Sequence, residues 1–380
     1  MGTNMKNLNP NNRARVRSVI LLVILSGMSG ILNAASRLTA GEVDAIIVEK
    51  NEIIKIGGYL DGISSPTPEP PNLYGSSDGF DGVVSSVRQL YHIQHYNNIS
   101  KSLGSGIFVN RVDEYSDDNS AKAALQENVK SLVGRLNNPT VDHDGPIFGD
   151  ETIYVNGRFG AESYVANAAF FRVGRLISYI RINTREQLPV RGEQPYPLGK
   201  YIAPVTKRMT SALTGKLKAA VVSPSITKLL PPFSAYQNIG SFVGPVTITP
   251  ESWATVEVSG TEQEITQLLT SGGANKIGYF SIQLGAAPKM IITGAIFPLR
   301  SQNYSDKWYM QTTTGMENNV SPLPQSIRSV FFTDSGDYQL IFQKGKVVVA
   351  LDCYGQNSVE EALCENSLRS LSTTWFDSLP

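Results

Sequence analysis

The stretch FFRVGRLISYIRI, Phe170–Ile182, decides the fold because it has a near echo in IFQKGKVVVALDC, Ile341–Cys353. Each stretch places a glycine, Gly174 or Gly345, between two apolar runs. Glycine supplies the positive φ that tight hairpin turns require. Both stretches therefore predict a β-hairpin. Because the outgoing strand is apolar on one face and partly apolar on the other, that strand should lie centrally in a covered sheet.

Two further matches occur in the same order along the chain. IFVNRVDEYSD, Ile107–Asp117, aligns without gaps on IFPLRSQNYSD, Ile296–Asp306, so that Ile107 corresponds to Ile296. Upstream, RLTAGEV from Arg37 corresponds to TITPESW from Thr247. Three ordered matches indicate an internal duplication with two copies.

The duplication predicts both fold class and domain organisation. We expect an α+β protein made of a tandem pair of related domains, each an antiparallel sheet with a β-hairpin and packed helices. The first repeat spans residues 36–220 and the second residues 246–380. Residues 221–245 form an apolar, proline-containing linker. A second proline-rich stretch, Ser64–Gly79, has little apolar content and is predicted to be a mobile loop.

The linker supplies the candidate binding residues, Phe233, Tyr236 and Phe242. It is too apolar for a freely solvated tether, so it should pack on a domain. Clefts between domains are frequent binding sites, and these rings would add apolar surface there. Packing against the flank of a domain is the alternative role for all three.

Helix signals flank the predicted strands. Thr39 with Glu42, and Ser358 with Glu361, fit capping boxes, while Thr249 precedes a proline at a first helical position. Two apolar stripes at helical spacing follow, Ala121, Leu125, Val129, Leu132 and Leu136 in the first repeat and Cys364, Leu368, Leu371 and Trp375 in the second.

The N-terminal segment, residues 1–35, has the pattern of a signal peptide. Basic residues precede an apolar run that begins at Val19 and ends at the small residues Ala34 and Ala35. We therefore predict a secreted or extracytoplasmic protein in the cell envelope. An uncleaved N-terminal membrane anchor is the alternative, and it would be the chain's only contact with a membrane.

Export favours a disulfide between Cys353 and Cys364, the two cysteines of the chain. The first ends a predicted strand and the second enters the following helix. A bridge would pin that helix to the sheet, whereas two buried free thiols are the alternative.

Composition and motifs exclude several functions. With 33 basic and 33 acidic residues the chain has no global field favouring nucleic acid. It contains no phosphate-binding Gly-Lys loop and no His-Glu-x-x-His helix, and we assign no catalytic residue, cofactor or metal.

Three polar groups resemble sites but have simpler explanations. His92 and His95 would share a face only on a helix. Asp142–Asp144 has the composition of a turn. The acidic run Asp113–Ser120 is interpreted as helix capping.

The order of LTAGEV, IF…EYSD…A, FGDET and FFRVGRLISYIRI resembles the extracellular sensor domains of bacterial membrane serine/threonine kinases and related secreted or lipid-anchored proteins. That resemblance implies an antiparallel sheet backed by helices, an exported location and ligand binding without catalysis. The chain departs from that pattern because it has no kinase domain and no cysteine in the first repeat.

We therefore hypothesise an exported, non-enzymatic binding or sensory protein whose partner is a small ligand or an envelope protein. A hydrolase with a dispersed site is one alternative, and a cleft gathering His143, Asp150 and Glu151 would favour it. A structural envelope-assembly protein is the other, and a large exposed apolar patch would favour that function.

Overall fold

A computed structural model gives the protein's fold as two antiparallel sheets with packed helices, which confirms the predicted α+β class. The structure describes residues 36–56, 66–74, 82–97, 102–160, 164–184, 198–219, 224–257, 259–285, 290–316, 321–324 and 327–380. The predicted signal peptide lies outside these ranges. Leu38–Pro380 forms one compact unit.

The first sheet has eight strands in the order β1-β3-β4-β8-β7-β6-β5, with β2 also paired to β3. Its strands are β1 (Thr67–Pro68), β2 (Asn72–Tyr74), β3 (Val83–Asn97), β4 (Ser102–Tyr115), β5 (Leu136–Asp142), β6 (Glu151–Phe159), β7 (Tyr164–Val173) and β8 (Leu176–Thr184).

The second sheet has six strands in the order β12-β13-β14-β11-β10-β9. They are β9 (Gly240–Ile248), β10 (Ile277–Leu284), β11 (Met290–Pro298), β12 (Ser329–Asp334), β13 (Asp337–Lys344) and β14 (Val347–Tyr354). Strand β9 begins inside the predicted linker, so part of that segment belongs to the sheet.

Ten described helices connect and cover the strands. They are α1 (Ala40–Asp44), α2 (Lys50–Ile56), α3 (Asp118–Val133), α4 (Leu198–Leu213), α5 (Pro224–Thr227), α6 (Phe233–Tyr236), α7 (Pro250–Ala254), α8 (Glu262–Ser271), α9 (Gln302–Thr312) and α10 (Ser358–Ser378).

The two sheets repeat one strand order. The sequence β3-β4-β8-β7-β6 in the first sheet corresponds to β10-β11-β14-β13-β12 in the second. Gly174 and Gly345 occupy the matched hairpin turns, with φ of 53° and 55°. Helices α3 and α9 follow equivalent strands, as do α4 and α10. The two predicted hairpins are therefore equivalent elements of two related sheets.

Sheet pairing fixes which residues of the two repeats correspond. Ile182 and Cys353 hold the same position in the matched hairpins, because each follows its turn glycine at the same distance along the chain. Ile182 pairs with Phe108 on β4, and Cys353 pairs with Ile292 on β11. Phe108 and Ile292 therefore correspond.

This pairing shows that the gapless alignment of IFVNRVDEYSD on IFPLRSQNYSD is wrong in register. Since Phe108 corresponds to Ile292, Ile107 corresponds to Ile291 and not to Ile296. The Tyr-Ser-Asp of the first repeat precedes its helix, whereas that of the second lies inside its helix. Because side chains alternate between faces, this odd-numbered shift would assign every strand residue to the wrong face.

The starts of the following helices agree with the corrected register. Helices α3 and α9 begin at Asp118 and Gln302, and these two residues are separated by the same number of positions as Phe108 and Ile292. Corresponding residues of the β4–α3 and β11–α9 segments are thus a fixed number of positions apart along the chain, and we call this offset, measured from Phe108 to Ile292, the strand–helix spacing. Corresponding residues of the two hairpins are separated by a smaller offset, measured from Gly174 to Gly345, which we call the hairpin spacing.

The largest hydrophobic core is shared by both sheets. It joins Phe108 and Tyr201, which belong to the first sheet and α4, to Phe297 and Trp308, which belong to the second sheet and α9. Two smaller cores lie outside it, one under α3 and the other under α10. The sheets therefore contact each other through helix-covered faces.

The acidic run Asp113–Ser120 has two roles, and capping is only one of them. Asp117 caps α3 by accepting a hydrogen bond from the amide of Ser120 at 2.8 Å. Asp113 and Glu114 instead lie in β4, where they are 3% and 0% exposed. Each is paired with an arginine, so the interpretation of the whole run as capping is wrong.

The caps and stripes are otherwise close to prediction. Thr39 forms a capping box with Glu42, and Thr249 caps α7. Helix α10 is capped by Asn357 rather than Ser358, because the Asn357 side chain accepts bonds from two amides of the first turn. Leu136 belongs to β5 and not to the α3 stripe.

The Cys353–Cys364 disulfide is present and joins β14 to α10. Both cysteines are buried, with exposures of 1% and 0%. The bridge therefore fixes α10 against the sheet within the core under that helix.

Candidate functional site

The main candidate site is a cavity of about 360 Å³ that we call the junction cleft. The face of the second sheet that carries α9 forms its floor, and segment Glu69–Asn72 of the first sheet contributes the opposite wall. Its lining comprises Glu69, Pro70, Asn72, Trp253, Val256, Glu257, Tyr279, Thr293, Gly294, Ala295, Thr312, Met316, Gln339, Ile341, Ala350, Leu351 and Asp352. Both halves of the chain are therefore needed to build it.

Small residues in the floor make room for the cleft. Ala295 on β11 lies directly opposite Ala350 on β14, with Tyr279 on the other side of Ala295. The next pair along the same face is Thr293 with Asp352. Because residues two apart share a face, the polar groups of these strands point to one side of the sheet.

The wall from the first sheet is anchored through Leu73, which is 2% exposed. The Ser281 hydroxyl on β10 donates to the Leu73 carbonyl at 3.0 Å. Glu69 bonds to His92 on β3. The prediction of a mobile loop over Ser64–Gly79 is therefore wrong for Thr67–Pro68 and Asn72–Tyr74, which form strands, while the rest of that stretch lies partly outside the described residues.

Trp253 gives the cleft a fixed aromatic wall. Its indole Nε1 donates to Glu257 Oε2 at 3.2 Å, and its ring meets Phe297 edge-on at 5.0 Å between centroids. Glu257 Oε1 also accepts the Ser259 amide at 3.2 Å. The Glu257 side chain therefore holds the indole ring in place at the cleft.

Asp352 is an acid whose protonation is altered by its place in the cleft. Its side chain is exposed through the cavity, while the surrounding protein partly desolvates the carboxyl group. This desolvation, with the nearby charge of Asp337, raises the pKa of Asp352 to about 6. A hydrogen bond from Gln339 opposes the shift. Asp352 therefore changes charge close to neutral pH.

The lining is acidic. Glu69, Glu257 and Asp352 line the cleft, and the described lining residues include no Lys, Arg or His. Carboxylates and an aromatic ring in one lining favour a ligand that carries positive charge. The cleft therefore suits a small organic cation.

A larger hollow of about 720 Å³ lies beside α1 and α2. One ion pair lies in its lining, between Lys50 of the first half and Glu251 of the second. Asp44 lines it, and burial together with the charge of Glu49 raises the pKa of Asp44 to about 7. It lacks the tryptophan wall of the junction cleft, which we therefore take as the main candidate.

Phe233, Tyr236 and Phe242 lie away from the junction cleft. Tyr236 stacks on Phe242 at 5.1 Å, and Phe242 stacks on Phe280 at 5.1 Å within the core under α10. Phe233 is 67% exposed and meets Tyr236 edge-on. The three rings pack on the flank of the second sheet, and their binding role stays a prediction.

The remaining candidates are not brought together in a described cavity. His92 and His95 lie on strand β3 rather than on a helix. Asp142 and His143 are exposed, and Asp142 accepts the Asp144 amide at 2.8 Å, as in a turn. Among the described residues, no group of three His, Cys, Asp or Glu is placed to hold a metal ion.

Asp150 and Glu151 have structural partners. Asp150 pairs with Arg172 at 3.2 Å and accepts the Gly174 amide at 2.7 Å, which supports the hairpin turn. Glu151 accepts a hydrogen bond from Gln126. A hydrolase arrangement of these acids with His143 is therefore not found among the described cavities.

The comparisons with known proteins add little. No protein-family model and no curated protein matches the chain. Among solved structures, the chain is similar to the extracellular domain of PknH from Mycobacterium tuberculosis, with 10% identity and a TM-score of 0.28, over 48% of this chain and 100% of that one. No described helix is long and apolar enough to cross a membrane.

Proposed function

We propose that the protein is an exported binding or sensory protein that holds a small organic cation in the junction cleft. The observation that carries this proposal is the composition of the cleft. Three acids and the indole of Trp253 converge on a cavity whose described lining has no basic residue. Its volume of about 360 Å³ is at the small end of ligand pockets.

The two-part construction supports a sensory role. Glu69 and Asn72 come from the first half, while the floor comes from the second. A ligand contacting both would stabilise the folded unit by mass action, and the Leu73 anchor would transmit that effect to the first sheet. The disulfide supports an oxidising, extracytoplasmic compartment.

Binding of putrescine tests this proposal, with 1,4-butanediol as a neutral probe of matched length. We expect ligand-observed NMR to show binding of the diamine and none of the diol. Glu257→Gln and Asp352→Asn should each weaken diamine binding about tenfold, because each removes a charge-assisted contact. Asp377→Asn, an exposed change on α10, is the control. Equal binding of diamine and diol would overturn the proposal.

One observation favours the hydrolase alternative. A carboxyl group with a pKa of about 6 in a cleft is what a general acid requires. Turnover of chromogenic esters or glycosides that is lost in folded Asp352→Asn would identify an enzyme. Absence of turnover with retained diamine binding would support the binding protein.

A further inference from the structure

The first sheet has a cavity of about 290 Å³ under α3, which we call the arginine cavity. Its lining comprises Tyr74, Arg88, Val109, Arg111, Asp113, Asn128, Ser131, Arg135, Phe170, Ile177, Tyr179 and Arg181. Four arginines thus face one carboxylate in a chain whose formal net charge is zero.

The arginine cavity occupies the same place in the first sheet as the junction cleft occupies in the second. On β4 and β8, Val109 pairs with Arg181 and Arg111 pairs with Tyr179. The strand–helix spacing and the hairpin spacing match these pairs to Thr293 with Asp352 and to Ala295 with Ala350. All eight residues line one cavity or the other.

The covering helix and the flanking strands follow the same correspondence. Asn128 of α3 and Thr312 of α9 are related by the strand–helix spacing, and each lines its own cavity. Phe170 and Ile341 are related by the hairpin spacing, and they line the arginine cavity and the junction cleft respectively. The duplication therefore carries two copies of one hollow, with Arg181 where the second copy has Asp352.

The single acid of the arginine cavity is already engaged. Asp113 accepts a hydrogen bond from the Nε of Arg111 at 2.6 Å and another from the Ser86 hydroxyl. The Arg135 Nε reaches only the carbonyl of Ser131, at 3.3 Å, and Arg135 is exposed at the rim. The described lining therefore contains more arginines than carboxylates.

Arg181 is positioned by aromatic rings rather than by acids. Its guanidinium lies 5.1 Å from the Phe159 ring centroid and 5.6 Å from that of Tyr179. Its Nε is buried and has no hydrogen-bond acceptor among the described residues. A buried donor without an acceptor is costly, and a bound oxyanion would supply the acceptor.

We propose that the arginine cavity binds a small oxyanion of the phosphate class, free or as a phosphate ester. Guanidinium groups present paired N–H donors that match the oxygens of phosphate, and the planar fork favours arginine over lysine for this task. Asn128, Ser131 and Tyr179 add neutral donors to the lining. This second site is independent of the cation assigned to the junction cleft.

Isothermal titration with inorganic phosphate and with sulfate tests the site in the full chain. We expect both anions to bind, and Arg181→Gln to weaken binding by at least tenfold. Arg135→Gln, at the exposed rim, should weaken it by a few fold. Arg158→Gln makes the same charge change on β6 outside the cavity and should leave binding unchanged.

Sulfate affinity should stay constant between pH 6 and pH 8, because arginine keeps its charge throughout. The other ionisable groups of the lining are the paired carboxylate of Asp113 and the phenols of Tyr74 and Tyr179. Burial raises the pKa of Tyr179 above its ordinary value, so its phenol stays neutral in this range.

Cosedimentation with vesicles bearing a phosphorylated headgroup, against binding of glycerol 3-phosphate, distinguishes a lipid source from a soluble one. Thermal melting controls for folding, and Arg135→Gln gives the test should Arg181→Gln fail to fold. Lack of phosphate and sulfate binding, or an equal loss in Arg158→Gln, would overturn the proposal.

Discussion

The two cavities show what the duplication has retained and what it has changed. Both lie on the same face of equivalent sheets, beside the helix that follows β4 in the first repeat and β11 in the second. Arg181 and Asp352 hold corresponding positions and have opposite charges. The matched strand register therefore preserves the cavity, while the side chains that line it determine the sign of the charge on the ligand.

The buried charges differ in the same way. Glu114 of the first repeat is 0% exposed and bonds to Arg175 at 2.9 Å, and its carboxylate accepts the Leu38 amide. At the position matched by the strand–helix spacing the second repeat has Pro298, which needs no counter-charge. At this matched position the first repeat therefore has a buried ion pair and the second has an uncharged residue.

The largest expected effect tests that ion pair. Glu114→Ala leaves the half-buried Arg175 without this carboxylate, so we expect the free energy of unfolding to fall by about 3–5 kcal/mol. Urea denaturation measures it. Glu127→Ala, exposed on α3, should stay within about 0.5 kcal/mol. A loss below about 1 kcal/mol for Glu114→Ala would show that the pair is not a support of the first sheet.

The disulfide is the corresponding support of the second sheet. Its residues are 11 apart, so replacing both cysteines with serine should cost about 3 kcal/mol through the greater entropy of the unfolded chain. Reduced wild-type protein serves as the comparison for the variant in urea denaturation. Intact-mass measurement after alkylation without reduction checks the bond itself, and two modified thiols would contradict it.

pH should separate the two cavities. Since the pKa of Asp352 is about 6, its ionised fraction rises between pH 5 and pH 7, and putrescine affinity should rise by up to about tenfold. Sulfate affinity of the arginine cavity should stay constant over the same pH range, because arginine keeps its charge there. Asp352→Asn is the control that isolates the contribution of this aspartate from that of the other polar groups near the cleft, such as the His92 bonded to Glu69.

The same shift predicts the sign of a stability change. The folded-state pKa of Asp352 lies above its ordinary value of 3.8, so the folded protein binds the proton more tightly. The contribution of Asp352 therefore favours folding at low pH and is lost as pH rises from about 4 to about 6. Melting curves of the wild type and Asp352→Asn should converge below that window and diverge above it.

The smallest effect concerns a feature that both repeats share. Thr39 and Thr249 cap α1 and α7, each accepting a hydrogen bond from the amide three residues on. Replacing either with alanine should cost about 1 kcal/mol in the free energy of unfolding, since one amide loses its partner. Very unequal losses in the free energy of unfolding would mean that the two caps do not stabilise the two repeats equally.

Local signals predicted much of the fold. Glycine between apolar runs located both hairpins, and Thr39 and Thr249 located two helix starts. Strand register could not be predicted in this way, because IFVNRVDEYSD and IFPLRSQNYSD match over a few residue types while register depends on pairing with distant strands. The pairing of Phe108 with Ile182, and of Ile292 with Cys353, gives the correct correspondence.

The sites were largely beyond sequence reasoning. Arg88, Arg111, Arg135 and Arg181 are dispersed along the first repeat, so no local pattern unites them. Glu69 lies in a stretch interpreted as a loop, and its position beside the second sheet appears only in the fold. One signal was available: Asp352 is an acid in an otherwise apolar run, VVVALDC, and such a residue in a central strand indicates a site.

The shared core has a consequence for how the protein loses its structure. Phe108 and Tyr201 on one side, and Phe297 and Trp308 on the other, belong to one continuous cluster. Neither half can expose its share of that cluster without uncovering the other. The duplicated chain should therefore melt in a single cooperative transition, and a fragment containing one repeat would present a bare apolar face and tend to aggregate.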